Sequence, residues 1–253
     1  MSESQSRLLV DEALVLHVKN WQTADKYAVC FTKAHGKLRF IAYGARYEKN
    51  IAGRLLQPFA NLCLQVQQGQ KVDKLRSCEL LRMPQPVDVP QMAYAAVAAE
   101  LTAVLTEDRA PQPELYAELA AAFAAVTRRN PRLVVLSFAI KLLRLTGFAP
   151  QLTHCVNCNA QVTDEADAWF SPLQGGLICS GCRAGYSGDG LESCGAGSRR
   201  LWHWLAQLDY DNPAPFKVMG GDMMELERLL FKFIFFQTDK PLNSLNFLSQ
   251  MGL

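Results

Sequence analysis

The sequence predicts an α+β chain: an N-terminal five-stranded OB-like β-barrel, followed by a helical domain that carries an inserted four-cysteine module. Three observations predict it. Short stretches of alternating apolar and polar residues fill the first 82 positions. Prolines at 84, 86 and 90 then end that pattern, and apolar residues recur at helical spacing. Two Cys-x-x-Cys pairs stand twenty residues apart inside the helical part.

Five strands are expected at residues 13–19, 27–32, 37–43, 62–67 and 72–80, separated by polar or glycine-containing turns. In the first, Leu14, Leu16 and Val18 form one apolar side. In the third, Leu38, Phe40 and Ala42 point one way, and Lys37, Arg39, Ile41 and Tyr43 the other. Five short strands with no helix-sized stretch before Gln91 suit a small closed barrel of the OB type, with an SH3-like barrel as the alternative. Cys30, Cys63 and Cys78 fall inside strands without paired spacing and read as small core hydrophobes. The expected boundary puts the barrel at 1–82 and the helical domain at 83–253, with the cysteine module at about 150–185.

Helices are expected at 91–106, 113–128 and 131–146, with Pro113 suited to a first turn and Gly147 to a stop. Two more are expected at 198–208 and 222–236, the second with Asp222 as N-cap and Glu225 completing a capping box. The glycine-rich stretch 185–197 reads as a flexible surface loop.

Cys155 and Cys158, then Cys179 and Cys182, have the spacing of a four-cysteine zinc site. Two tight turns supply a tetrahedron of thiolates, which zinc accepts without a competing geometric preference. Such a site leaves no open coordination position, so it serves folding and not catalysis. Trp169, Phe170, Gly175 and Gly176 suggest a hairpin between the two turns. The alternatives are a decayed site with four free thiols, substitution by His154, or an iron–sulfur cluster, whose usual spacings differ. Cys194 stands alone.

An enzyme is not expected. The four histidines form no metalloprotease motif, no serine sits in a nucleophile elbow, and there is no phosphate loop. Gly220-Gly221 reads as a turn before a helix, and Asp108, Glu114 and Glu118 lack an acid–base partner in sequence. The first eleven residues do not read as a signal peptide, and the longest apolar run, 229–236, is short and broken by Lys232. A cytoplasmic protein with reduced cysteines is expected. The net charge of +2 is uneven: residues 1–82 carry 13 Lys or Arg against 7 Asp or Glu, and the remainder 13 against 17. A basic barrel joined to a mildly acidic helical part suits an anionic partner such as nucleic acid.

Several segments together resemble the RecO family of bacterial DNA repair proteins. They are Phe31-Thr32-Lys33-Ala34-His35-Gly36-Lys37-Leu38-Arg39, then Tyr43-Gly44-Ala45-Arg46, then Gly53-Arg54-Leu55-Leu56-Gln57-Pro58-Phe59. Leu145-Thr146-Gly147-Phe148-Ala149-Pro150 leads into the cysteine pairs as in the family, and Lys240-Pro241-Leu242-Asn243-Ser244-Leu245-Asn246-Phe247-Leu248 resembles its closing helix. The resemblance spans nearly the whole chain in order. Where family members often carry a denser basic run, this chain has Arg46-Tyr47-Glu48-Lys49-Asn50-Ile51.

The resemblance implies a non-enzymatic recombination mediator, cytoplasmic and nucleoid-associated. It implies binding of single- and double-stranded DNA, annealing of complementary strands, and help in loading RecA recombinase together with RecR. It also implies docking of the C-terminal tail of the single-strand DNA-binding protein, whose carboxylates would meet Arg128, Arg129, Arg132 or Lys141. The residues add candidate DNA contacts. Lys37 and Arg39 come from one strand face, and Lys33, Arg46, Lys49 and Arg54 from adjoining turns: six cations within 22 residues. Tyr43 and Tyr47 are candidate stacking rings, though each also reads as an ordinary surface residue. A zinc-stabilised protein-interaction scaffold and an RNA-binding OB protein remain the alternatives.

Overall fold

A computed structural model describes residues 7–83, 88–163, 166–186 and 190–252. Its elements are β1 (Leu8–Trp21), β2 (Asp25–Thr32), β3 (Gly36–Ala42), α1 (Ile51–Leu55), β4 (Asn61–Gln67), β5 (Asp73–Arg82), α2 (Val89–Leu105), α3 (Pro113–Ala125) and α4 (Pro131–Leu145). They continue with β6 (Gln151–Cys155), β7 (Ala168–Ser171), β8 (Gly176–Cys179), α5 (Ser180–Arg183), β9 (Glu192–Ser193), α6 (Ala196–Ala206), α7 (Gly220–Thr238) and α8 (Asn243–Gln250). Two compact units result, residues 1–135 with 243–253, and residues 136–242. Pro84 and Pro86 lie outside the described residues.

In the first unit the strands close into a barrel in the order β1-β2-β3-β5-β4, with β4 bonded back to β1. The β3–β5 pairing is parallel, Phe40 opposite Asp73, and this closure is the OB arrangement. Ala28, Cys30, Leu38, Phe40, Leu62, Leu64 and Val66 fill one core, as the alternation of their strands predicts. β1 differs: Ala13 and Val15 take its core face, Leu14 and Leu16 are buried outside that core, and only beyond the register shift does Val18 pack against it. β1 is longer than its apolar run suggested because it pairs with β2 along one half and β4 along the other. A register shift between Val15 and His17 lets it bend between the two partners. Cys63 differs from expectation: Leu62 and Leu64 take the core face of β4, so Cys63 faces outward and is half-buried.

The helix α1 was not expected. Its five residues are too few to show a period. It begins on the Asn50 side chain, which accepts a hydrogen bond from the Gly53 N–H at 3.1 Å. Gly53 is required there, since a Cβ would strike the Ala45 carbonyl. At the other end of the unit, α8 starts on Glu100 of α2. The Glu100 carboxylate accepts the backbone N–H groups of Asn243 (3.0 Å) and Ser244 (2.8 Å), which satisfies amides that the helix cannot pair itself.

Lys37 corrects the expected outer face of β3. It is buried at 3% exposure, and only Arg39 in that strand is exposed. Its ammonium donates to the carbonyls of Ala103 (2.6 Å) and Thr106 (2.5 Å), at the C-terminal end of α2. That helix has no basic residue in its own last turn, so Lys37 supplies the cation its terminal carbonyls favour. Replacing Lys37 by Met keeps the apolar stem and removes the donor. Two carbonyls then lose their partner, and we expect a loss of about 1–3 kcal/mol. Urea unfolding checks this. The midpoint should fall with the slope unchanged, and an unchanged midpoint would refute the capping role.

In the second unit, α6 and α7 pack beside a small sheet of order β6-β8-β7-β9. Phe170 of β7 meets Phe233 of α7 edge-on at 5.7 Å. The expected capping box on α7 is not formed. Met219 is the N-cap, and the Glu225 carboxylate instead accepts the Gly195 N–H (2.9 Å) and the Ser198 hydroxyl, tying α7 to the start of α6. The stretch 185–197 is accordingly more structured than a flexible loop, except that residues 187–189 lie outside the described residues. Glu192 and Ser193 pair with β7, and Gly197 has no room for a Cβ beside the Asp222 carboxylate.

Candidate metal centre and nucleic-acid interface

Each cysteine pair follows the end of a strand. β6 delivers Cys155, and the chain turns back at once. The Asn159 N–H donates to the Cys155 carbonyl at 2.8 Å, with Asn159 itself in the left-handed region at φ 59°. β8 delivers Cys179, and one turn of helix, α5, brings Cys182 alongside. Gly176 permits the approach of the two strands, because a Cβ there would lie 2.8 Å from the Gln151 carbonyl oxygen. The expected hairpin between the turns is β7 and β8, paired from Ala168–Cys179 to Ser171–Gly176.

The four sulfurs all lie within 4.8 Å of one another, and Cys158 and Cys179 are 3.7 Å apart. Sulfurs bound tetrahedrally at the usual zinc distance of about 2.3 Å stand about 3.8 Å apart, so the cluster is of the right size for one metal ion. Local amides favour thiolate. Burial alone would raise the Cys155 thiol, but the backbone N–H groups of Cys179, Cys158 and Asn157 hold it down at about 6. The Cys179 N–H to Cys155 sulfur distance is 3.4 Å. At Cys158 the Ala160 N–H pulls down, but the crowding of Cys182, Cys155 and Cys179 prevails and pushes it up to about 11. Such crowding of thiols is what a divalent cation relieves. His154 donates no ligand to the cluster, and its ring faces the Thr153 hydroxyl at 3.0 Å. Cys194 is buried elsewhere, where burial pushes its thiol up to about 12.

The candidate DNA contacts of the barrel divide into three kinds. Lys37 is internal and is removed from the contact surface by its burial. Arg39 is exposed, and its Nε–H donates to both Asp108 oxygens (3.1 and 2.9 Å), so a phosphate would share the guanidinium with a carboxylate. Lys33 is exposed and lies 3.8 Å from Glu12. Arg46, Lys49 and Arg54 are exposed in or beside α1. Arg46 donates to the carbonyls of Gln22 (3.2 Å) and Thr23 (2.9 Å), neutral partners that fix the side chain without cancelling its charge. Tyr43 and Tyr47 are exposed at 52% and 67%, and Lys74 stands over the Tyr43 ring at 5.7 Å. Lys19, Trp21, Tyr27 and Lys74 on the same outer surface were missed by sequence reasoning. The signal was there in β1, where Lys19 and Trp21 are two residues apart and so share a face.

Of the cations expected to receive a partner's carboxylates, Arg128 and Arg129 are exposed after α3, and Arg132 is half-buried in the first turn of α4. Lys141 is not available. It is buried, donates to the Leu208 carbonyl at 2.7 Å, and sits 4.2 Å over the Tyr210 ring. A separate cavity of about 530 Å³ is lined by Gln57, Pro58, Phe59, Met92 and Phe247 among others, with no charged residue in its lining among the described residues. Among the described residues no helix is long and apolar enough to cross a membrane.

Two family models match the chain. "Recombination protein O N terminal" covers residues 7–84, and "Recombination protein O C terminal" covers residues 87–246. The chain is also similar to proteins named "DNA repair protein RecO". That of Symbiobacterium thermophilum is 29% identical over 245 residues, 95% of this chain and 96% of that protein. Those of Desulforudis audaxviator (27% over 244 residues; 96% of each chain) and Syntrophotalea carbinolica (29% over 247; 95% and 93%) match as fully. A five-stranded barrel, a helical part with a four-cysteine cluster able to hold a metal, and both family models in order lead to one conclusion: the chain belongs to the RecO family of non-catalytic DNA repair and recombination mediators.

Proposed function

We propose that the chain binds single- and double-stranded DNA on the outer surface of its barrel, anneals complementary strands, and acts with RecR to help load RecA recombinase in the cytoplasm. The observation that carries this reading is the exposed cationic and aromatic surface of a barrel in a RecO-family chain: Arg39, Arg46, Lys49 and Arg54, with Tyr43 and Tyr47. A cationic surface screens the repulsion between two strands and leaves base edges free to pair. The barrel, residues 1–82, is the DNA-binding domain in this reading. The metal held by Cys155, Cys158, Cys179 and Cys182 is one zinc ion with a structural role. Arg128, Arg129 and Arg132 are the cations offered to the acidic tail of the single-strand DNA-binding protein.

The test is annealing of two labelled complementary strands, followed by energy transfer with increasing amounts of the purified protein. The rate should rise to a maximum near saturation of the strands and fall as salt is added. A rate equal to that of the strands alone, at protein concentrations that saturate them, would contradict the proposal. Tighter binding of an RNA of the same sequence would favour an RNA-binding protein instead.

A further inference from the structure

The outer face of β1 and β2 carries a cluster that the cationic reading leaves unused. Lys19 pairs across the sheet with Tyr27, and Tyr27 with Ile41, which in turn lies opposite Lys74 of β5. Residues directly opposite share one face, so Lys19, Tyr27, Ile41 and Lys74 form a row across four strands. Trp21 continues the Lys19 side of β1 to the strand's end and is 38% exposed. The Trp21 and Tyr27 rings lie 5.9 Å apart, tilted by 38°. The Lys19 ammonium sits over both, 5.4 Å from Trp21 and 5.1 Å from Tyr27. Arg39, which holds Asp108, is two residues from Ile41 on β3 and is therefore the diagonal neighbour of Tyr27 on this face. Two rings, a cation on their faces and a second cation beside Tyr27 are therefore joined in one patch.

A single exposed aromatic residue on a protein surface is ordinary. This patch is more than that, because two adjacent rings lie among cations, the combination of base stacking and phosphate attraction that a single strand requires. From this juxtaposition we propose that Trp21 and Tyr27 are a stacking platform for unpaired nucleobases, by which the barrel distinguishes single-stranded from double-stranded DNA. The inference rests on the reading that DNA binds the barrel. A base that stacks on Trp21 displaces the Lys19 ammonium from the ring, and the ammonium, on its flexible stem, moves to the adjoining phosphate. The exchange favours the base, since an exposed cation–π contact is weaker than a base–aromatic stack and the ammonium regains an anionic partner. Duplex DNA keeps its bases stacked within the helix. It meets only the cations of this face and gains nothing from the rings.

The test compares three probes of equal length at one salt concentration: an oligo-dT strand, an abasic strand with the same phosphates and no bases, and a duplex. The wild-type protein should bind oligo-dT roughly five- to hundredfold more tightly than the abasic strand. Trp21→Ala, which leaves only the Tyr27 ring, should cut that preference severalfold and leave abasic-strand and duplex affinity within about twofold. Trp21→Phe, which keeps a ring, should restore part of it, and both variants should melt like the wild type by circular dichroism. Equal loss on all three probes, or an unchanged preference in Trp21→Ala, would overturn the platform. If the wild type binds oligo-dT and the abasic strand equally with a normal salt dependence, the platform fails and DNA binding by the barrel stands. If it binds none of the probes, both fail together.

Discussion

Replacing Cys155 or Cys179 by Ala is expected to release the metal and unfold the sheet that surrounds it. The small sheet β6-β8-β7-β9 has strands of two to five residues, and the cysteine turns lie at the ends of β6 and β8, where little strand pairing holds them. Cys155 is the buried member of the cluster, at 1% exposure, and its sulfur accepts the Cys179 N–H. Structural zinc in small domains contributes on the order of 10–16 kcal/mol, more than the stability of most whole domains, so loss of one ligand is decisive locally. Metal analysis of the purified wild type should give close to one zinc per chain, and less than about a tenth of that in either variant. Hydrogen exchange should rise across 151–182 and leave the barrel strands protected. Wild-type protein prepared without chelator and containing less than a tenth of an equivalent would refute the metal site. A fully protected 151–182 in the metal-free variants would refute its structural role.

The four clustered cysteines were legible because a thiolate tetrahedron imposes a spacing that survives in the bare sequence. The five strands were legible because each buries one face, which leaves a period of two. What escaped is what depends on distant parts of the chain. Lys37 reads as a surface cation in every local respect, yet the end of α2, almost seventy residues on, covers it and uses its charge. Lys141 was drawn inside in the same way by the Leu208 carbonyl and the Tyr210 ring. Glu225 had the spacing of a capping box, and a closer pair of donors at Gly195 and Ser198 took it. The helix α1 was too short for any period to show. The pairing of Trp21 with Tyr27 needed the β1–β2 register, which no single strand displays.

Reversing Arg39 and Arg46 together to Glu is expected to weaken DNA binding by tenfold or more at low salt, by similar factors for strands of different sequence. Both side chains are exposed, so the change acts first on the field of the barrel and not on its core. The two cations differ in what their removal costs. Arg46 leaves only two turn carbonyls without a donor, in a position open to water. Arg39 leaves Asp108, which keeps Lys37 at 3.4 Å but would face a new Glu. That repulsion lies at half-exposed groups, where charge interactions amount to about 1 kcal/mol or less, so the barrel should remain folded. Strand annealing should slow with affinity, because both strands must be held near one surface.

The most direct measurement is a salt series by fluorescence anisotropy on the wild type and the Arg39→Glu, Arg46→Glu double variant, with circular dichroism confirming that both are folded. If the barrel holds the phosphates, the slope of log affinity against log salt should flatten by about 0.7 for each single-strand phosphate that is no longer neutralised, about 1.4 for the pair. Equal affinities and equal slopes in two folded proteins would contradict the account and move the DNA away from this face of the barrel.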